Sequence, residues 1–184
     1  MNDTSNGSQV RIFLATSLDG FIAGPDDDLS WLPMPTVDGE DFGYAAHMAT
    51  IGCLLFGRRT YDVVQGMGES WTYPATMPML IATRRPLGPA APQIRAVSGT
   101  IEELVAEARA EARGKDVYLD GGDLIRQALD AGLVDHMTIT LVPQVLGAGI
   151  SLFAGCQKRH NLQLESSRPL EGGMMQLVYR TVRS

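Results

Sequence analysis

Val117-Tyr118-Leu119-Asp120-Gly121-Gly122-Asp123-Leu124-Ile125 is an apolar run that stops at two glycines and resumes with helical spacing. It reads as a buried strand over 117–120, a tight turn, and a helix from about Asp123 to Ala131. The same unit occurs twice upstream. Phe56-Gly57-Arg58-Arg59-Thr60 closes the apolar run that starts at Cys53, and Ile81-Ala82-Thr83-Arg84-Arg85 closes the run Met79 to Thr83. Strands that pass at once into a small or polar turn and a helix build an open α/β sheet. Their carboxyl ends line its ligand crevice, and the helix starts there offer unpaired N–H groups to anions.

Working outward, Val10 to Thr16 suits a buried strand and runs into Ser17-Leu18-Asp19-Gly20, Gly24-Pro25 and three aspartates, a long loop extended by Pro33 and Pro35. A helix is expected from Asp38 or Glu40 to Ala49, with acidic residues in its first turn where the helix dipole favours them. Ile94 to Ser98 is another strand. Thr100 followed by Glu103 has capping-box spacing and opens a helix to about Arg113. Past Gly132 the alternation ends: His136 to Val142, Leu162 to Ser166 and Met175 to Val182 read as strands with no helix between them, in a β-meander. The expected architecture is a mixed, mostly parallel α/β sheet flanked by helices, with antiparallel C-terminal strands. Residues 1–9 read as a disordered lead and 10–184 as a single domain.

The bulk numbers agree. At 184 residues, 45% hydrophobic and 20% charged, the chain can bury a sizeable core without disulfide or metal. A net charge of -6 and a pI of about 5.0 argue against nucleic acid or an acidic membrane surface as partner. No apolar run approaches the roughly 18 residues of a membrane span, and the polar start Met1 to Gln9 lacks the pattern of a signal peptide. A cytoplasmic protein is expected. Cys53 and Cys156 stand far apart in apolar settings, without CxxC or Cys/His ligand spacing, so they read as free thiols and no metal is expected.

Each candidate site signal is weak alone. A Gly-Gly turn is ordinarily only a turn, and an Arg pair ordinarily a solvated face. Two Arg-bearing turns and one glycine turn at three strand ends together suit a ligand with several phosphates, since guanidinium binds phosphate bidentately and glycine lets backbone approach it. Neither GxGxxG nor GxxxxGK[ST] occurs, Ser17 and Ser30 lack a GxSxG context, and His47, His136 and His160 are scattered. Hydrolase and zinc chemistry therefore find no support.

Taken in order, Ala15-Thr16-Ser17-Leu18-Asp19-Gly20-Phe21-Ile22-Ala23, Gly57-Arg58-Arg59-Thr60-Tyr61, Gly121-Gly122 and Val145-Leu146-Gly147-Ala148-Gly149-Ile150-Ser151-Leu152-Phe153 resemble the signature of dihydrofolate-reductase-like domains. The S-L-D-G-x-I-A and L-G-x-G-x-x-L-F elements are similar to the riboflavin-biosynthesis reductase branch. The resemblance spans roughly residues 10 to 182 and implies an eight-stranded sheet, NADPH as cofactor and a homodimer. The C-terminal residues Met174, Met175 and Val178 could serve the dimer interface or the core. Ala15 and Ile22 would border the nicotinamide. Gly57, Arg58, Arg59 and Thr60 would lie at the helix start under the phosphates, and Thr83 and Arg84 would meet the 2′-phosphate. Gly121, Gly122, Asp123, Leu124 and Ile125 would cradle the pyrophosphate, across a Gly-Gly bond that is cis in true dihydrofolate reductases. Asp19 and Trp31 belong to the loop that would form a lid over substrate.

The resemblance also implies one acid on the helix before the G-R-x-T turn, held by a threonine. Asp41, 16 residues before Gly57, and Thr140 have matching positions. A carboxylate there would offset negative charge as hydride adds to a pterin-like C=N bond. Asp38 and Glu40 are neighbours, however, and acids at a helix start are commonly capping groups. Phe13 stands where the riboflavin branch often has lysine, and Trp31 follows Ser30 where true dihydrofolate reductases have Pro-Trp. The expected function is an NADPH-dependent oxidoreductase acting on a small heterocycle, pterin-like or aminopyrimidine-riboside-like. The alternative is a non-catalytic nucleotide- or pterin-binding paralogue serving as a sensor or partner module.

Overall fold

The computed structural model describes residues 7–33, 41–67 and 73–182. The elements run β1 (Val10–Ser17), β2 (Phe21–Ala23), α1 (Tyr44–Thr50), β3 (Ile51–Gly57), α2 (Arg58–Gly66), β4 (Met79–Ala82) and β5 (Ile94–Val97). They continue through α3 (Ile101–Glu111), β6 (Asp116–Asp120), α4 (Gly122–Asp130), β7 (His136–Val142), β8 (Ile150–Ser151), β9 (Asn161–Pro169) and β10 (Met175–Val182). Eight strands form one sheet in the order β5-β4-β3-β6-β1-β7-β10-β9. All pairs from β5 to β7 are parallel, and β10 pairs antiparallel with both β7 and β9.

The apolar runs of the central strands are unbroken because both faces are covered. On β3, Cys53 and Leu55 face a core shared with Leu104, Val105 and Ala108 of α3 and Ile125, Ala128 and Leu129 of α4. Leu54 and Phe56 face the other way, into a core with Tyr61 of α2 and, at its margin, Tyr44 and Met48 of α1. A third cluster gathers Trp31, Val142, Leu170 and Met174 beside Ala15, Leu32 and Phe42. The capping box forms as its spacing predicts: Glu103 N donates to Thr100 Oγ1 at 3.3 Å and Thr100 N to Glu103 Oε2 at 2.8 Å. Gly52 lets the end of α3 rest on β3, since a Cβ there would lie 2.3 Å from Ala112 O.

Three expectations are corrected. The last strands are not a simple meander, because β9 goes to the sheet edge and β10 returns between it and β7, which makes β9 parallel to β7. The first helix begins at Tyr44; residues 38–40 lie outside the described residues, and Asp41 caps the helix from before its first turn. Gln9, assigned to the lead, is pinned to the sheet: its N–H donates to Asp116 Oδ1 at 2.9 Å and its carbonyl accepts from Val117 N at 2.8 Å. Two short strands, β2 and β8, were not expected at all. Among the described residues no helix is long and apolar enough to cross a membrane.

Under α1, His47 stacks on Phe13 at a centroid distance of 4.8 Å and meets Tyr118 edge-on at 4.8 Å. Among the described residues its Nε2 is buried without a hydrogen-bond partner. Burial, helped by the Arg11 charge, lowers its pKa from 6.5 to about 4. Between those values the unfolded chain binds more protons than the folded one, so His47 removes stability as pH falls from about 6.5 toward 4. His47→Phe, which keeps the stacking, should flatten the dependence of Tm on pH across that window, as followed by circular dichroism melts.

Candidate functional site

Neighbouring strands β3 and β6 end side by side, with Phe56 in register with Asp120, and their following helices leave to opposite faces of the sheet. Such a switch point opens a crevice at the carboxyl edge. Gly57 and Gly121 precede the two helices directly. Gly121 has φ 114°, and a Cβ on it would lie 3.0 Å from Thr60 Oγ1 and 3.2 Å from Gly57 N. A Cβ on Gly122 would lie 2.9 Å from Ile22 Cδ1, so the loop after β1 folds over the glycine turn. Among the described residues all peptide bonds are trans, including Gly121-Gly122. The close approach at this turn rests on missing side chains and a positive φ.

The two family-like motifs found apart in the sequence touch here. Asp19 accepts from Ser17 Oγ at 2.6 Å, Leu146 N at 3.1 Å and Gly147 N at 2.8 Å, and the Ser17 hydrogen bond leads in holding its pKa below the usual carboxylate value. β2 pairs antiparallel with β8. At Gly149, φ 141°, a Cβ would lie 2.1 Å from Ala23 O, so only glycine permits that pairing. Trp31, 7% exposed, donates Nε1 to Asp28 O at 3.2 Å and packs on Val142 and Met174 beside Ala15. Asp19 and Trp31 are thus both held by contacts within the protein, Asp19 to the segment at Leu146 and Gly147 and Trp31 to the cluster beside Ala15.

The arginines are divided in their tasks. Arg58 Nε pairs with Asp62 at 2.7 Å, and its Nη1 donates to Pro86 O at 2.8 Å, so it clamps α2 to the turn after β4. Thr83 Oγ1 accepts Arg85 N at 3.0 Å inside that turn. Arg59 Nε reaches Asp27, on the segment after β2, at 2.6 Å. Arg84 is exposed and has no ion-pair partner among the described residues. Asp123, in the first turn of α4, is exposed and bonded by Gln127 Nε2 at 2.7 Å, while Leu124 and Ile125 are buried under the turn.

Asp41 and Thr140, expected to hydrogen-bond each other, do not. Asp41 is exposed and accepts Gly43 N and Ala45 N, each at 2.8 Å, which leads the lowering of its pKa. Thr140 is buried and accepts Gln176 Nε2 at 3.1 Å, while the same amide nitrogen donates to Phe42 O at 2.8 Å. Gln176 on β10 takes the place beside Thr140 expected for the acid, and Asp41 lies at the surface before α1.

A different acid stands at the strand end beside the glycine turn: Asp120, the last residue of β6. It is half-buried, its Oδ1 accepts Gly121 N at 2.6 Å, and its Oδ2 lies 3.4 Å from Tyr118 Oη. Tyr118 Oη also donates to Phe13 O at 2.8 Å. Burial raises the Asp120 pKa from 3.8 to about 6, against the lowering by its two hydrogen bonds. Tyr44, Tyr73 and Tyr118 feel its charge, and burial keeps all three phenols protonated. In the sequence Asp120 reads only as the last residue of the strand that the glycines close. The available signal was a charge closing an otherwise apolar central strand, one residue before the glycines.

Fold and crevice together define a dihydrofolate-reductase-like α/β domain. Residues 8–176 match the RibD C-terminal domain, and the chain belongs to that family. The uncharacterized protein YyaP of Bacillus subtilis (strain 168) is 30% identical over 189 residues, spanning 96% of this chain and 97% of that protein. A protein from Shewanella sp. PV-4 named for riboflavin biosynthesis superposes with TM-score 0.83 at 29% identity, covering 95% of this chain and 99% of the other. Dihydrofolate reductase from Enterococcus faecalis, solved with NADP(H) and RAB-propyl, shares the fold at TM-score 0.65 and 17% identity, covering 95% and 97% of the two chains.

The folded pKa of Asp120 lies above its unfolded value, so its favourable contribution is present below about pH 3.8 and is lost as pH rises through about 6. At neutral pH it is a cost. Asp120→Asn, which keeps the acceptor for Gly121 N, should stabilise the fold at pH 7.5 by about 1–2 kcal/mol and not at pH 4, read from urea denaturation.

Proposed function

We propose that this chain is an NADPH-dependent reductase that adds hydride to a C=N or C=O bond of a small heterocycle, pterin-like or aminopyrimidine-riboside-like. The observation that carries the reading is Asp120, a half-buried acid with pKa about 6 at the strand end that enters the glycine turn. Hydride addition leaves negative charge on the accepting nitrogen or oxygen, and a positioned acid of this strength neutralises it. Membership of the RibD C-terminal domain family and the likeness to a riboflavin-biosynthesis protein support the reductase class.

The residues present fit the cofactor. Neither helix start carries a side-chain cap, and glycine at 57, 121 and 122 keeps side chains off the turn beside Thr60, a setting for a pyrophosphate, with Leu124 and Ile125 packed beneath. Asp123 turns its carboxylate to Gln127, leaving the helix start to the backbone. Thr83 shapes the turn that presents Arg84, the exposed cation for a 2′-phosphate, and Arg58 holds that turn from behind. Arg59 ties the lid to α2, and Ala15 and Ile22 flank the nicotinamide position. When bound, NADPH supplies the hydride. Asp120 Oδ2, the oxygen not engaged by Gly121 N, holds the proton to be delivered, and Tyr118 orients it. In this reading Asp41 caps α1, and Thr140 holds Gln176 against the loop at Phe42.

One observation favours the non-catalytic alternative: the acid and threonine of the dihydrofolate-reductase pattern are not paired here. Turnover decides between the two. NADPH binding followed by fluorescence should be tighter than NADH binding, and Arg84→Ala should reduce that preference roughly 10- to 150-fold by removing one charge-assisted contact. With dihydrofolate or an aminopyrimidine riboside as substrate, kcat/KM should fall as pH rises through about 6, because the acid form of Asp120 is the active one. Asp120→Asn should lower kcat at least about 100-fold and abolish that limb while leaving NADPH affinity intact. Asp41→Asn should retain activity. Binding without turnover of any such heterocycle would leave the sensor reading, and no binding of either nucleotide would overturn both.

A further inference from the structure

About 12 Å from the glycine turn, one length of α4 away, a second cluster of chemically active side chains gathers behind the sheet. Asp130 ends α4, and Cys156 and His160 lie on the segment between β8 and β9. One donor atom from each, a carboxylate oxygen, a thiol sulfur and an imidazole nitrogen, lie within 4.8 Å of one another, and all three residues are half-buried. We propose that Asp130, Cys156 and His160 form a binding site for a divalent late first-row transition metal ion of the zinc class.

The donors are already aimed. His160 Nε2 lies 2.9 Å from Asp130 Oδ1, Gln157 N donates to Oδ2 at 2.8 Å and Lys158 N to Oδ1 at 3.1 Å, so backbone amides hold the carboxylate in orientation. Lys158 Nζ is engaged by the main-chain carbonyl of Asp130 at 2.6 Å. A tetrahedral ion with ordinary ligand bonds of about 2.0–2.3 Å sets donor atoms roughly 3.4–3.6 Å apart. The Asp130–His160 pair must open by about half an ångström and the thiol must move inward by no more than about 1.2 Å, within reach of side-chain rotation on a surface loop.

The donor set selects the ion. Thiolate, imidazole and carboxylate together suit zinc, cobalt(II) or copper(II), whereas magnesium and calcium take oxygen ligands. On binding, the Cys156 S–H bond breaks and its proton passes to solvent, the His160 ring proton moves to Nδ1 so that Nε2 presents its lone pair, and the metal–sulfur and metal–nitrogen bonds form with no electron transferred. Two anionic ligands then balance the dication. Cavities of 320 and 270 Å³ border the cluster, the first touching Asp130 and His160 and the second Cys156 and His160, and leave room for water as fourth ligand. Sequence spacing could not reveal this site, because Cys156 and His160 offer two ligands and the third comes from a helix end 26 residues earlier. A bound ion would staple the end of α4 to the segment that leads into β9.

The test reads binding alone and stands apart from the reductase reading. Metal-free protein under a non-thiol reductant is titrated with cobalt(II) chloride and then with zinc chloride. The expected result is saturation at one equivalent, with a near-ultraviolet sulfur-to-cobalt absorption that zinc abolishes, and a rise in Tm with zinc. Cys156→Ser should lose the near-ultraviolet band, and both it and His160→Gln should weaken binding at least about tenfold while melting like the metal-free parent. Absence of a saturable band, or the same band and affinity in both variants, would overturn the proposal.

Discussion

The glycine turn that follows β6 has no room for side chains, and the site is organised around that steric limit. With hydrogen in place of Cβ at Gly121, β6 and β3 can end flush, Gly57 against Gly121, with Thr60 Oγ1 in the space between. Two helices then start from adjacent strands and leave on opposite faces. No side chain caps either helix start, a condition for holding phosphate by main chain. Larger residues at these positions would push the strands apart or turn the helix starts away.

A second constraint closes the crevice from above. The Ser17–Ala23 segment reaches Gly122 through Ile22, beside Ile150 of β8, and polar contacts hold it there. Asp19 fastens the loop to the backbone at Leu146 and Gly147, and β2 pairs with β8 where Gly149 lets Ala23 O come close. Arg59 bonds Asp27 at the far end of the same loop. These bonds trade exposed polar groups for one defined wall, with Trp31 buried at its base.

The same sheet face carries two ionisable groups whose burial acts in opposite directions. His47 is held neutral by its aromatic neighbours and loses stability in acid, a consequence of packing under α1. Asp120 is held near half-protonation just below neutral pH and costs stability there, beside a turn that also requires glycine. A fold selected for stability alone would place an apolar residue at the end of β6. The departure from that choice sits where chemistry would be done, the pattern expected when local rules are broken for function.

Much of this was legible in the residues themselves. Apolar runs ending at Gly57 and Gly121, a Thr100–Glu103 capping box and helical spacing determine strands and helices by local physics, and their alternation determines the α/β class. The ordered motifs determine the family. Other features depend on which strands become neighbours, and residue order does not state that. β10 enters between β7 and β9, bringing Gln176 to Thr140 and leaving Asp41 to cap a helix. Arg58 turns from a phosphate candidate into a clamp because the turn after β4 folds back onto α2. Asp120 becomes an acid of pKa about 6 only once β6 is buried among other elements, because desolvation is a property of surroundings assembled from distant segments.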